Sequence, residues 1–393
     1  VTPAARIAAA IEVLEALEGS DDPPDRTLAA WGRAARYAGS KDRRAVADIV
    51  HDILRRRRSL AWRVGADSAR AAAIGWCAAQ GCDPAALFTG AGHAPPPLTE
   101  AERRALTAAP AAPPDPVRLD YPDWLDGRLR DSLGDAFEAS MTALQRRAPV
   151  DMRVNSLRCD VATARAALAE DGVAAEPGPL SRLCLRAGPG APAARTRAYA
   201  DGLIELQDAA SQAVAAFAGA RPGEAVLDYC AGGGGKTLAL AADMAGRGRL
   251  VAHDVAPGRM RDLPARLARA GARAEIVGPD AVGALRGRFD LVLADAPCSG
   301  SGAWRRDPAG KWRLTPERLA SLAEAQRAAL RAAAAFLRPG GRLVYATCSM
   351  LHEENAGRVS EASWLTCVDR MVLTPADGGD GFFAARCVIA AAA

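Results

Sequence analysis

Lysine is nearly missing from this chain. Only Lys41, Lys236 and Lys311 stand among its 50 basic residues, and all the others are arginine. A bias this strong turns every tolerant basic position into arginine. The surviving lysines then mark places that want a compact ammonium, or where a planar guanidinium does not fit. Chance survival is the competing reading, most of all for Lys41. Long apolar runs are also lacking: no stretch of about 18 apolar residues suggests a membrane span. The stretch from Val1 to Leu17 carries Glu12 and Glu15 and lacks the basic start and unbroken apolar core of a signal peptide. None of the nine cysteines stands in a C-x-x-C pair, which removes the usual zinc and redox motifs. Their odd number and scatter fit a reducing cytoplasm. Cys77, Cys82, Cys159, Cys184, Cys367 and Cys387 read as small core residues.

At 393 residues the chain exceeds what one hydrophobic core serves, so two or three domains are expected. The first ninety residues read as helices. Ile7, Ile11 and Leu14 form one apolar stripe, and Val46, Ile49, Val50, Ile53 and Leu54 another. Between Arg33 and Arg63 lie ten Arg or Lys against three Asp, a local +7 in a chain whose net charge is only +4. Such a concentration suits a surface that faces a polyanion; a solvated helix face is the alternative. Prolines 95–97, 110, 113, 114 and 116 predict a linker with no regular element between His93 and Tyr121. Mixed α/β sequence follows to about Ala200.

From Gly202 the pattern alternates strand and helix. Strands are expected at Ala225–Cys230, Leu250–Asp254, Ala274–Val277 and Phe289–Ala294, with a fifth running through Tyr345 towards Cys348. A helix from Pro316 to Leu337 begins after the N-cap Thr315. The pattern is that of a doubly wound parallel α/β sheet.

The chemistry lies at the ends of these strands. Cys230-Ala231-Gly232-Gly233-Gly234-Gly235-Lys236-Thr237 follows the first, and its glycines let backbone N–H groups approach a ligand at a helix N-terminus. A phosphate loop is the rival reading, but its first glycine is here Cys230. Asp254 ends the second strand, where an acid accepts hydrogen bonds from ribose hydroxyls. Asp280 lies beyond the third, where an acid can hold an adenine amino group. Together these suit an adenosine cofactor without phosphates, S-adenosylmethionine.

Asp295-Ala296-Pro297-Cys298-Ser299-Gly300 and Ala346-Thr347-Cys348-Ser349 each follow a strand. Ligands bind beyond the carboxyl ends of such strands, so both thiols should face one cleft. Methyl transfer to carbon 5 of a pyrimidine needs a thiolate added at carbon 6, which makes carbon 5 nucleophilic. A base must afterwards remove the carbon 5 proton, and a second thiol can do so. Asp295 is placed to hydrogen-bond the cytosine edge, and Lys236 to orient or polarise that carboxylate. An amino-group methyltransferase would need a polar-Pro-Pro-aromatic clamp instead.

These motifs resemble the RNA 5-methylcytosine methyltransferases of the Sun/Fmu type, especially the RsmB-type small-subunit rRNA enzymes. The family's glycine loop usually reads C-A-A-P-G-G-K-T, so Gly232 and Gly233 depart from it. D-A-P-C-S-G and T-C-S match without change. Ser301-Gly302, Arg305-Arg306, Pro308, Lys311-Trp312 and Glu353-Glu354-Asn355 resemble the family's continuation of each. The resemblance implies a Rossmann-like methyltransferase sheet with Cys348 as nucleophile and Cys298 as general base. It also implies that Asp295 contacts the base, and that Asp254 and Asp280 hold the cofactor beside Cys230, Ala231, Gly232, Gly233, Gly234, Gly235 and Lys236. Gly39-Ser40-Lys41-Asp42-Arg43-Arg44 resembles a NusB-like RNA-binding domain, and Arg153-Val154-Asn155 the start of a small subdomain. The organisation implied is a helical NusB-like domain with its proline-rich linker over 1–140, a small α/β subdomain over 141–201 and a catalytic domain over 202–393. The substrate implied is 16S ribosomal RNA, with a monomer in the cytoplasm as the expected form. A tRNA cytosine-5 methyltransferase and an inactive RNA-binding scaffold stay open as alternatives.

Overall fold

A computed structural model describes residues 1–20, 22–108 and 111–390, which leaves Pro110 of the expected linker outside the described residues. The chain divides into two compact units. One comprises Val1–Gly127, Met141–Arg147 and Trp304–Arg313, and the other comprises Arg128–Ser140, Ala148–Ala303 and Leu314–Ala393.

The first unit is helical. Helices α1 (Pro3–Leu17), α2 (Pro24–Ala34), α3 (Ser40–Arg55), α4 (Arg57–Trp62) and α5 (Ala69–Ala79) follow one another along the chain. Thr2 caps α1 by accepting from the Ala5 amide, and Pro3 opens its first turn, where a missing N–H costs nothing. The expected apolar stripes meet: Ile7, Val13 and Leu14 share one buried cluster with Val46, Val50, Ile53 and Ile74. The segment Trp304–Arg313 supplies Ala309 to the same cluster. From it Lys311 Nζ donates to the Arg55 carbonyl and Trp312 Nε1 to the Leu54 carbonyl, both at 2.7 Å. These carbonyls end α3 and have no partner within the helix. Burial pushes the Lys311 ammonium down to about 8. Of the three lysines, Lys236 and Lys311 are buried and Lys41 is exposed.

The proline-rich stretch is more regular than expected. A helix spans Glu100–Thr107, because Thr99 and Glu102 form a capping box that satisfies two orphan amides at its start.

The second unit contains two sheets. In the smaller, β1 (Val150–Val154), β2 (Glu176–Pro177), β3 (Cys184–Ala187) and β4 (Ile204–Leu206) lie in the order β2-β3-β1-β4, all antiparallel. The larger holds β5 (Ala225–Asp228), β6 (Arg249–His253), β7 (Glu275–Val277), β8 (Phe289–Asp295), β9 (Leu337–Thr347), β10 (Leu365–Leu373) and β11 (Phe382–Ile389). Its order is β10-β11-β9-β8-β5-β6-β7. From β7 to β9 the strands are parallel, while β11 runs antiparallel to both of its neighbours. The sheet is therefore mixed rather than wholly parallel.

Burial follows from this layering. Val226, Leu291, Leu293 and Val344 pack on one face against Leu238, Leu263 and Leu267. Leu227, Val292, Leu343 and Tyr345 pack on the other against Leu330, Ala333 and Phe336. A strand covered on both faces is apolar throughout, as Leu291–Ala294 is. The helix after Thr315 stops at Ala334, short of the expected Leu337, which instead opens β9. Cys77, Cys184 and Cys387 are buried, but Cys82 and Cys367 are exposed. Cys82 follows the turn that ends α5, and Cys367 lies on the edge strand β10. No helix among the described residues is long and apolar enough to cross a membrane.

Candidate active site

The strand order reverses at β5, which lies between β6 and β8. The crevice beyond that switch point is where such sheets take ligands. The glycine turn leaves β5 there, and the Asp295 loop leaves β8 beside it.

The turn is held from several sides. Gly232 and Gly234 adopt φ of +52° and +82°, the left-handed region that glycine enters without strain. The Gly232 amide donates to Asp254 Oδ2 at 3.0 Å, and the Gly234 amide to the Ala231 carbonyl at 2.8 Å. The Gly233 carbonyl accepts from Arg266, whose guanidinium also pairs with Glu205. These contacts tie down the turn at positions 232 and 233. Gly234 caps the helix Gly235–Asp243, so the turn presents a helix N-terminus.

Asp254 is buried just past β6. Its carboxylate accepts from the Gly232 amide, the Ala256 amide and Arg259 Nη1. The expected ribose acid thus also braces the glycine turn. Asp280 lies in the short helix Pro279–Val282 after β7 and is exposed.

Asp228, which sequence reasoning passed over, ends β5 fully buried. Thr237 Oγ1 donates to its Oδ2 at 2.7 Å, while Oδ1 finds no partner among the described residues. A buried acceptor left unpaired is costly, and burial pushes this carboxyl up to about 7. A glycine turn, a helix N-terminus and an unsatisfied buried carboxylate oxygen together fit a polar, phosphate-free adenosine ligand with a cationic end.

Asp228 also sets a pH dependence. In the unfolded chain the carboxyl loses its proton near 3.8, in the folded chain only near 7. Across that window the folded state holds a proton the unfolded state has released, so stability falls as pH rises, then levels off. Asp228→Asn removes the titration. The melting temperature of the variant should gain on the parent by a few degrees between pH 4 and pH 8. A difference that does not change with pH contradicts the assignment.

The two thiols converge. Parallel pairing sets Asp295 on β8 beside Ala346 on β9, so the loops carrying Cys298 and Cys348 leave the same sheet end. Cys298 Sγ lies 3.4 Å from Cys348 Sγ. The hydrogen bond to Cys348, burial, and the charges of Cys348 and Glu354 hold the Cys298 thiol well above its usual range. The Cys298 thiol therefore holds its proton more firmly than a free thiol does.

Lys236 Nζ donates to Asp295 Oδ2 at 2.7 Å. Burial opposes the ammonium, but Asp295 outweighs it and holds Lys236 above the ordinary lysine range. Phe382, the first residue of β11, lies with its ring centroid 4.9 Å from Nζ. A compact ammonium fits between carboxylate and ring. Cys230 is partly buried, and burial with nearby carboxylates pushes its thiol up, out of any reactive range.

This fold defines a class, the Rossmann-like methyltransferases, and the sequence comparisons define the family within it. Residues 216–379 match the family described as 16S rRNA methyltransferase RsmB/F, and residues 121–188 match its RsmF/B-like ferredoxin-like domain. Ribosomal RNA small subunit methyltransferase B of Salmonella paratyphi B is 32% identical, with 69% of this chain and 67% of the relative covered. The enzyme of that name from Photorhabdus laumondii is 30% identical over 68% of this chain and 66% of its own length. The chain belongs to the RsmB/F family. It spans about two thirds of the length of these relatives. Among solved structures, the protein PH0851 superposes with a TM-score of 0.76 at 24% identity, covering 98% of this chain and 99% of that one. A methyltransferase homolog from Pyrococcus horikoshii gives 0.60 at 26% identity, over 70% of this chain and 97% of its own.

Proposed function

We propose that this protein transfers a methyl group from S-adenosylmethionine to carbon 5 of a cytosine in RNA, through a covalent adduct on Cys348. The observation that carries the reading is the 3.4 Å approach of two thiols beside the glycine turn. Methylating a nitrogen or oxygen needs no thiol, because a lone pair is already there. Activating carbon 5 needs one sulfur to add and one base to take a proton.

S-adenosylmethionine, when bound, supplies an electrophilic methyl group on a sulfonium. The glycine turn, Asp228, Asp254 and Asp280 are the residues assigned to hold it. Asp295, hydrogen-bonded to the Lys236 ammonium, holds the cytosine edge as charge builds on the ring. Cys348 thiolate adds to carbon 6, forming the S–C6 bond and moving the C5–C6 π electrons to carbon 5 for attack on the methyl. Once Cys348 is bonded to carbon, it no longer carries charge or accepts the Cys298 hydrogen bond. Two of the causes that hold the Cys298 proton in place are then gone. Cys298 can release that proton to solvent and take the one on carbon 5. The C5–H electrons restore the ring double bond, the S–C6 bond breaks, and Cys348 leaves as thiolate.

The family is named for small-subunit ribosomal RNA, and 16S rRNA is the substrate proposed here, with residues 1–140 as the RNA-binding domain. In support, Arg33, Arg36, Lys41 and Arg44 are exposed around the α2–α3 turn with no ion-pair partner among the described residues. Asp42, the acid between them, is spent on Arg6 at 2.7 Å. Tyr37 is 70% exposed there, its ring parallel to His93 within 6° and 6.4 Å away between centroids. Free cations around an exposed aromatic face suit single-stranded RNA. Reversing Arg33, Arg36 and Arg44 to glutamate should raise KM for RNA by about 10- to 100-fold and flatten its salt dependence, with kcat unchanged. An unchanged KM would remove this surface from the reading. Incubation with S-adenosylmethionine carrying a labelled methyl group tests the function itself: label should enter 16S rRNA and not tRNA, and label in tRNA alone would reassign the substrate.

A further inference from the structure

Glu354 takes no part in the chemistry above, yet it is fully buried. It ends the short turn His352–Glu354, six positions past Cys348. Its Oε1 accepts from the Ser299 amide and from Gln326 Nε2, each at 2.8 Å. Its Oε2 accepts from Ser299 Oγ and Ser349 Oγ, each at 2.5 Å. Ser299 follows Cys298 and Ser349 follows Cys348, so one carboxylate holds the neighbour of each thiol. Gln326 Nε2 also donates to the Pro297 carbonyl at 2.9 Å, which fixes the other side of Cys298. Ser301 Oγ lies 3.1 Å from Ser349 Oγ and accepts from the Met350 amide at 2.8 Å. On the second loop, Asn355 donates to the Ser349 carbonyl and accepts from Thr347 Oγ1, while the Tyr345 hydroxyl donates to the Glu354 carbonyl.

A buried carboxylate with no cationic partner touching it among the described residues is a poor way to gain stability, since desolvation consumes most of what its hydrogen bonds return. What it does supply is register. All four donors point at one small group: two come from Ser299 on the Cys298 side, one from Ser349 on the Cys348 side and one from Gln326 on the helix Pro316–Ala334. We propose that Glu354 is a positioning residue that sets the spacing of Cys298 and Cys348 by gathering Ser299, Ser349 and Gln326 onto a single carboxylate. The inference rests on the covalent reading of the two thiols. Adduct formation and proton removal act on adjacent ring carbons, so the two sulfurs must keep their relative position throughout. A displacement of about 1 Å costs such a site on the order of a hundredfold in rate.

The test uses the full chain and a 16S rRNA transcript carrying 5-fluorocytidine, which blocks loss of the carbon 5 substituent and lets the Cys348 adduct accumulate. Failure of the parent protein to form adduct defeats the covalent reading itself. With a reactive parent, Glu354→Ala should slow adduct formation at saturating RNA by about a hundredfold, while KM for RNA and cofactor affinity stay within about twofold. Glu354→Gln keeps the shape and can bond all four partners after hydroxyl rotation, so it should recover the rate to within about tenfold of the parent. If Glu354→Ala does not fold, the double variant Ser299→Ala, Ser349→Ala removes both hydroxyl contacts and should slow the adduct about tenfold. Glu354→Ala at the parental rate overturns the proposal. So does a loss matched by equal losses in cofactor affinity, a glutamine variant no better than alanine, or a double variant at the parental rate.

Discussion

Cys298→Ala is expected to stop at the covalent stage: the protein should form the Cys348 adduct with RNA, transfer the methyl group once, and then hold the product. Cys348→Ala should form no adduct at all and lose turnover by on the order of 10⁴-fold or more. The asymmetry follows from the pair itself. Its two sulfurs are 3.4 Å apart, and the hydrogen bond to Cys348, burial and the charge of Glu354 all raise the Cys298 thiol above its usual range, so that it keeps its proton. A denaturing gel of protein with RNA reads both variants. A retarded band should accumulate for Cys298→Ala and be missing for Cys348→Ala. A band for Cys348→Ala but not for Cys298→Ala would exchange the two roles.

The second large effect comes from a residue with no side chain. Gly302 donates its amide to the Cys348 carbonyl at 3.0 Å, and its carbonyl accepts from the Gly381 amide at 2.9 Å. The loop after β8 is thereby stitched to the Cys348 loop on one side and to the start of β11 on the other. A Cβ at 302 would run into the Gly381 carbonyl, and neither backbone can yield without moving a strand end. Gly302→Ala should therefore cost about 3 kcal/mol of stability, the upper end of overpacking. It should also lower the rate about a hundredfold by shifting the two thiols. Denaturant unfolding and single-turnover kinetics check the two parts. Parental stability and rate would mean that the two loops move independently.

How much of this was legible in the sequence depends on the range of the interactions involved. Strands β5, β6 and β8 lie within a residue or two of where apolar runs placed them, because a strand buried on both faces needs no partner to announce itself; β7 lies as near its expected place although it is an exposed edge strand. The glycine turn and both thiol loops follow from the same runs, since the end of a strand is where a ligand must sit. Strand β10 went unread because Leu365–Leu373 is an edge strand with most of its side chains exposed, so neither an apolar run nor clean alternation marks it. Its partner β11 is a buried run, Phe382–Ile389, whose antiparallel return cannot be told from another parallel strand by composition. The helix Glu100–Thr107 was legible in Thr99 and Glu102, but the prolines around it dominated the reading.

The candidate site shows the same division. Lys236 with Asp295 was inferred from chemistry, and the two groups meet at 2.7 Å. Glu354 was noticed only as part of a familiar stretch, because its role depends on Ser299 and Gln326, dozens of positions away in the chain. Asp228 stood in plain view at the end of the first catalytic strand. Its unpaired oxygen is a property of the folded environment, and nothing in the residue's immediate neighbours signals it. Phe382 belongs to the same group, a ring that reaches Lys236 only because β11 returns beside β9.

The position of the methyl group tests the central claim most directly. Ribosomal RNA should be incubated with the protein and S-adenosylmethionine bearing a deuterated methyl group, digested to nucleosides and separated by liquid chromatography with mass detection. The deuterated label is expected in 5-methylcytidine. Label in N4-methylcytidine, or on a ribose, would mean that a lone pair and not an activated carbon receives the methyl group, and the paired thiols would then have no chemical task.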